Sequence, residues 1–233
     1  MTVHRTRVKI CGLTREEDVR AAGALGADAV GFVCFAGSPR YVEPGRLAHL
    51  ARSVPPWVAP VLLFVDAARE QILAALASVP QAIMQFHGSE SPEFCGSLGR
   101  PYLRAVAVAA GVDLLNFEQQ FPGASALLAD TPADHPAADG KVVYGGAGRT
   151  FPWERLPAQE QRQLPLILAG GLRADNVAAA ISAVRPYGVD VSSGVESARG
   201  IKSAELMREF LVAVQTADAR AAADMVAFQG GAA

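Results

Sequence analysis

Apolar residues along this chain gather in short runs, each closed by glycine or a polar turn and followed by a stretch of helical spacing. Eight such runs occur, at 8–11, 29–34, 60–65, 82–86, 102–108, 125–129, 166–169 and 189–192. Most are apolar on both faces instead of alternating, the pattern of parallel strands covered by helices. Between them the spacing predicts helices over 15–25, 44–53, 68–77, 92–98, 112–120, 174–184 and 203–214. In the first, Val19, Ala22 and Leu25 share a face; in the sixth, Val177, Ala180, Ile181 and Val184 do. Only 152–163 is too short and too weakly periodic for a helix. Thr14, with Glu17 three residues on, fits a capping box, and Gly23 and Gly26 fit the exit of the same helix.

Strict alternation of strand and helix requires a parallel sheet. Eight units fit a closed (β/α)8 TIM barrel better than a doubly wound sheet, because single barrels run to about 250 residues. No linker divides the chain. One barrel is predicted over 1–216, with the alanine-rich 217–233 as a frayed or partly helical tail. Gly26-Ala27-Asp28-Ala29-Val30-Gly31 and Gly188-Val189-Asp190-Val191-Ser192-Ser193-Gly194 form a weak internal echo.

Composition narrows the function classes. With 51% hydrophobic and 19% charged residues in 233, the chain can bury a full core. Its 21 basic and 23 acidic residues leave a net charge of −2, with no basic excess to neutralise a nucleic-acid backbone. No apolar run reaches the length of a membrane span, and the N-terminus lacks a secretory apolar core. Cys11, Cys34 and Cys95 are odd in number and form no CxxC pair, so neither a disulfide framework nor a metal site is expected, and a reducing cytoplasm is the expected home.

In such a barrel the active site is built where strands end and the following loops begin. The polar residues there are Cys11, Arg40, Asp66, Gln85, His87 and Asp130, together with glycine turns at Gly170-Gly171 and Ser193-Gly194. The two glycine turns follow the seventh and eighth strands, where this fold commonly binds phosphate, and glycine lets the backbone approach it closely. Gly170, Gly171, Ser193 and Gly194 are therefore the predicted phosphate residues. His87, Asp66 and Gln85 fit the mouth or a structural role equally well, and His87 is assigned no catalysis. Met84 and Phe86 read as core, and Asp190, inside the eighth strand, needs a buried partner. Lys9 is placed on the opposite side of its strand from Cys11.

The segments Val8-Lys9-Ile10-Cys11-Gly12-Leu13-Thr14, Ser38-Pro39-Arg40-Tyr41-Val42, Gln85-Phe86-His87-Gly88 and Leu127-Leu128-Ala129-Asp130 occur in order. They continue with Gly145-Gly146-Ala147-Gly148-Arg149-Thr150-Phe151, Leu168-Ala169-Gly170-Gly171-Leu172 and Val189-Asp190-Val191-Ser192-Ser193-Gly194-Val195-Glu196. Over 7–212 the chain resembles the phosphoribosylanthranilate isomerase family of tryptophan biosynthesis. The resemblance implies an Amadori rearrangement of a phosphorylated small molecule, without metal or organic cofactor, in a monomer or homodimer. It implies Cys11 as general base, Asp130 as general acid and Arg40 as the ligand of the anthranilate carboxylate, which a guanidinium can grip bidentately. An acid at Asp130 must keep its proton near neutral pH, above the ordinary carboxyl value of about 3.9. Arg149 and Pro152 depart from the family's usual Lys and Asp, and the connection 131–144 is long. Rival readings are another aminoaldose-phosphate isomerase, which resembles a two-aspartate scheme, and a non-catalytic phosphate-ligand barrel. An indole-forming synthase would need a lysine acid at a strand end.

Overall fold

The computed structural model describes residues 5–110, 112–132 and 150–230. The apolar runs become β1 (Arg7–Cys11), β2 (Ala29–Val33), β3 (Ala59–Phe64), β4 (Ile83–Phe86), β5 (Tyr102–Ala107), β6 (Ala126–Asp130), β7 (Leu166–Leu168) and β8 (Gly188–Val191). They pair in chain order, all parallel, and β8 closes on β1 through Arg7–Gly188 to Ile10–Val191. The helices α1 (Glu16–Ala24), α2 (Pro44–Ala51), α3 (Arg69–Ser78), α4 (Pro92–Ser97), α5 (Leu114–Gln120), α6 (Val177–Val184) and α7 (Ala204–Gly230) connect and cover them. This is the (β/α)8 TIM barrel that the alternating pattern predicts.

Strand period two sorts every residue to one of two places. Outward positions such as Ile10, Phe32, Leu62, Met84, Phe86, Leu168 and Val189 are wholly buried in one shell between strands and helices. Inward positions fill the barrel itself. Its lower part is apolar, with Val61, Leu103 and Ala126 packed against Ala29, Ile83 and Ile167. Above that layer the inward series turns polar, with Lys9, Gln85, Asp130 and Asp190 all buried.

Several boundaries differ from the sequence pattern for local reasons. Between β6 and β7 the weakly periodic segment holds two 3-10 turns, Trp153–Arg155 and Gln159–Gln161, in place of a helix. The expected capping box at Thr14 does not form: its hydroxyl donates to the carbonyl of Gly200 instead, at 2.8 Å. Arg15 occupies the cap position without a side-chain bond, and its guanidinium meets Asp18 at 2.6 Å. Gly26 makes the expected exit with φ +99°, whereas Gly23 stays helical beside Pro55, where a Cβ would come within 2.5 Å of the proline ring. Helix α7 runs well past 214. Asp218 on it accepts from the backbone N–H of Thr6 at 2.8 Å and from its hydroxyl at 2.7 Å, pinning the helix to the entry of β1. A short antiparallel hairpin, β9 (Glu196–Ala198) with β10 (Ile201–Lys202), follows β8 and has no counterpart in the periodicity.

The Phe86 ring lies 6.3, 6.2 and 5.7 Å from those of Phe64, Phe94 and Tyr102 and is fully buried. Phe86→Ala should therefore cost about 3–5 kcal/mol, read as a lower urea midpoint. A loss under about 1 kcal/mol would mean that the shell refills the space and that this cluster does not hold β3, β4 and β5 together.

Candidate active site at the C-terminal mouth of the barrel

Inward residues at the upper ends of the strands converge on one cleft. Cys11 from β1, Arg40 after β2, Asp130 from β6, Gly170 and Gly171 after β7 and Ser193 after β8 all line it. Gly194 does not line it; a Cβ there would lie 1.9 Å from the carbonyl oxygen of Leu172, so only glycine permits the close packing of the two loops. Gly170 and Gly171 adopt φ +85° and +62°, a left-handed backbone that glycine enters without strain. A Cβ on Gly170 would also meet the Thr131 hydroxyl and, at 3.1 Å, a carboxylate oxygen of Asp130.

Cys11 is 5% exposed at the floor of the cleft. Lys9, two residues earlier on the same strand, shares its inward face, contrary to the sequence reading that set the two on opposite sides. The Lys9 ammonium binds Asp190 of β8 at 3.0 Å, and both side chains are buried. This is the partner that Asp190 required. Gly31 of β2 makes room for the arrangement: a Cβ there would come within 2.9 Å of the Cys11 sulfur and 3.2 Å of Lys9 Nζ. Burial disfavours the Lys9 charge most strongly, yet Asp190 and Cys11 outweigh it and hold the lysine protonated above its ordinary range. Burial pushes the Cys11 thiol up, the Lys9 ammonium pulls it back, and Asp190 pushes it up again, for a net rise.

Asp130 ends β6, one residue further into the strand than the apolar pattern marked. One of its oxygens accepts from the backbone N–H of Thr131 at 2.7 Å, and the other lies 3.2 Å from His87 Nε2. His87 and Gln85 are two apart and both face the cleft, with Gln85 Nε2 3.1 Å from His87 Nδ1.

Arg40 is 7% exposed and bound by Glu196, Nε to one carboxylate oxygen at 2.7 Å and Nη2 to the other at 2.8 Å. The bidentate face of the guanidinium is thus taken by the protein itself. Lys202 completes the cluster, donating to Glu196 at 2.8 Å and to the Ser192 carbonyl at 3.0 Å. Burial opposes the Glu196 charge, but Arg40 and Lys202 overcome it and hold the carboxyl below its usual range. Glu196 and Lys202 lie on the hairpin after β8, which periodicity missed; the available signal was the motif after the eighth apolar run, which ends on Glu196.

Asp66 does not join the cleft. With φ +47°, it turns its carboxylate to the N–H and hydroxyl of Ser89, at 2.7 and 2.9 Å, and ties the loop after β3 to the loop after β4. Arg149 and the glycines at 145–148 lie outside the described residues.

The chain has close counterparts among known proteins. A family model described as N-(5'phosphoribosyl)anthranilate (PRA) isomerase matches residues 8–213. An N-(5'-phosphoribosyl)anthranilate isomerase of Methylibium petroleiphilum is 52% identical over 222 residues, covering 95% of this chain and all of that protein. The solved phosphoribosyl anthranilate isomerase of Thermotoga maritima superposes with a TM-score of 0.79 at 36% identity, over 91% of this chain and 99% of its own. Another solved isomerase, in complex with reduced 1-(o-carboxyphenylamino)-1-deoxyribulose 5-phosphate, gives 0.72 at 32% identity, with coverage of 91% and 99%. Since the family match runs from within β1 into α7 and takes in every strand of the barrel, the chain belongs to the N-(5'-phosphoribosyl)anthranilate isomerase family.

Proposed function

We propose that Asp130 and Cys11 are the general acid and general base with which this chain isomerises N-(5'-phosphoribosyl)anthranilate. The observation that carries the reading is their convergence: a carboxyl from β6 and a thiol from β1 line one cleft beside two glycine loops. The Asp130 carboxyl gives its proton to the ring oxygen of the ribose, the C1–O bond breaks, and the substrate nitrogen supplies the electron pair that forms an iminium. The Cys11 thiolate then takes the C2 proton, and the C2–H electron pair moves to the iminium to give an enaminol. Protonation at C1 and loss of the C2 hydroxyl proton yield the ketone, 1-(2-carboxyphenylamino)-1-deoxyribulose 5-phosphate.

The remaining residues divide the substrate's charges between them. Gly170, Gly171 and Ser193 are assigned to the phosphate, whose approach the two loops allow through backbone N–H groups, and Gly194 keeps those loops packed together. Val33, Phe35, Leu63 and Val65 also line the cleft and pack as one apolar cluster with Cys11, suited to the aromatic ring. With Glu196 holding Nε and Nη2, the substrate carboxylate is assigned to Arg40 Nη1, a single charge-assisted bond in place of the bidentate grip. Glu196 and Lys202 are then positioning residues. A two-aspartate aminoaldose isomerase is disfavoured by the thiol at the strand-1 position, and an indole-forming synthase by the tight engagement of Lys9 with Asp190. Among the described residues no helix is long and apolar enough to cross a membrane. We place the chain in the cytoplasm, where its three free cysteines stay reduced, as a monomer or homodimer.

Lys9 has a part in this chemistry, since only the thiolate is a base. It keeps the Cys11 thiol lower than burial alone would set it.

Turnover of freshly generated substrate, followed by loss of its fluorescence, should fall by about 100-fold or more in Cys11→Ser and Asp130→Asn. Wild-type turnover matched by either variant would remove that residue from the acid–base pair. Gly194→Ala should raise KM far more than it lowers kcat; an unchanged KM would move the phosphate elsewhere. Alkylation of Cys11 against pH gives a third check. Removing the Lys9 charge with Lys9→Met should move its midpoint to higher pH, and Asp190→Asn should move it lower. Cys34 and Cys95, pushed up by burial to about 12 and about 11, stay silent in that titration. Midpoints that move together, or not at all, would show that the buried pair does not tune the thiol.

A further inference from the structure

We infer that His87 and Gln85 are positioning residues for the acid: Gln85 holds His87 in one neutral tautomer, and His87 holds the Asp130 carboxyl. The inference rests on Asp130 being the acid.

The main chain at His87 is immobilised from both sides. Arg104 of β5 donates to the carbonyl of Phe86 at 3.1 Å and to that of Gly88 at 2.9 Å. Glu90 accepts from the N–H of Gly88 at 3.0 Å and from that of Asp66 at 2.8 Å. The imidazole is then bracketed by Gln85 Nε2 at 3.1 Å from Nδ1 and Asp130 Oδ2 at 3.2 Å from Nε2. An amide nitrogen only donates, so Nδ1 accepts and the ring proton of a neutral imidazole sits on Nε2, pointing at Asp130. Gln85 is fully buried, and the amide atom that it presents to Nδ1 is Nε2.

This arrangement suits a group that must give up a proton without moving. The Thr131 N–H and His87 Nε2–H can both bond to Asp130 whether or not it carries its proton, so the carboxyl keeps its orientation through the transfer. An imidazolium at the same place would favour the ionised carboxylate and disarm the acid. By occupying the Nδ1 lone pair, Gln85 opposes that second protonation. The other ionisable groups at this cleft among the described residues are Cys11 and Lys9 on β1, Asp190 on β8 and Arg40 after β2. Lys9 is matched by Asp190 and Arg40 by Glu196, so neither cation is offered to Asp130 unpaired.

The test is the 15N spectrum of histidine-labelled protein, with His87 assigned by its loss in His87→Gln, together with pH–rate profiles. The neutral ring of wild-type His87 is expected as the Nε2–H tautomer. Gln85→Glu, whose carboxylate accepts from Nδ1, should convert it to imidazolium, lower kcat about 10- to 100-fold and move the alkaline limb of kcat to lower pH. His87→Gln keeps an N–H for Asp130 and should retain more turnover than His87→Leu. A wild-type Nδ1–H tautomer or imidazolium, or an alkaline limb unmoved in folded Gln85→Glu, would overturn the inference. Those outcomes leave Asp130 as the acid; undiminished turnover in Asp130→Asn would instead overturn the reading on which the inference stands.

Discussion

A closed eight-stranded barrel has an interior that side chains alone must fill, and each strand can send only every second residue into it. That restriction decides where chemistry can happen in this molecule. The lower interior is filled by Val61, Leu103, Ala126 and their neighbours. Above them the same inward rows carry Lys9 and Cys11, then Gln85 and His87, then Asp130 and Asp190. Each functional group therefore stands on a packed support from the same or an adjacent strand. Charges in such a place must be matched, because an unpaired buried ion costs several kcal/mol. Lys9 is matched by Asp190, Arg40 and Lys202 by Glu196, and Arg104 by Glu90.

The mouth is consequently a set of closed ion pairs that link loops far apart in sequence. Glu196 binds Arg40, 156 residues away, and so joins the loop after β2 to the hairpin after β8. Ser192 bonds the carbonyl of Cys11 and receives Lys202, extending the same lattice to the end of β1. The side chains around the mouth thus hold one another in place.

Much of this was legible in the chain. Uninterrupted apolar runs separated by helical stretches are enough to specify parallel strands, and polar residues at their ends mark the mouth. Cys11, Arg40, Asp130, Gly170, Gly171 and Ser193 all come to one cleft, as their positions predicted. What could not be read was orientation and partnership. Lys9 and Cys11 are an i, i+2 pair, so strand geometry should have put them on one face, and the misplacement hid the cation beside the thiol. Thr14 satisfies a capping pattern, yet a carbonyl brought near by the β9–β10 turn competes for its hydroxyl and wins. Asp66 looks like a mouth carboxylate, but its left-handed backbone turns it toward Ser89. Glu196 and His87 acquire their meaning only from residues on other units of the barrel, and no local pattern records such partners.

The bond between Thr6 and Asp218 has an architectural consequence. Thr6 immediately precedes β1, so it lies at the end of the barrel away from the cleft, and Asp218 brings the last helix back to that same end. The entry of β1 and the middle of the last helix are thus neighbours on the floor of the molecule. The first strand cannot leave the barrel without also releasing that helix, so the closure of β8 on β1 is latched from outside the sheet.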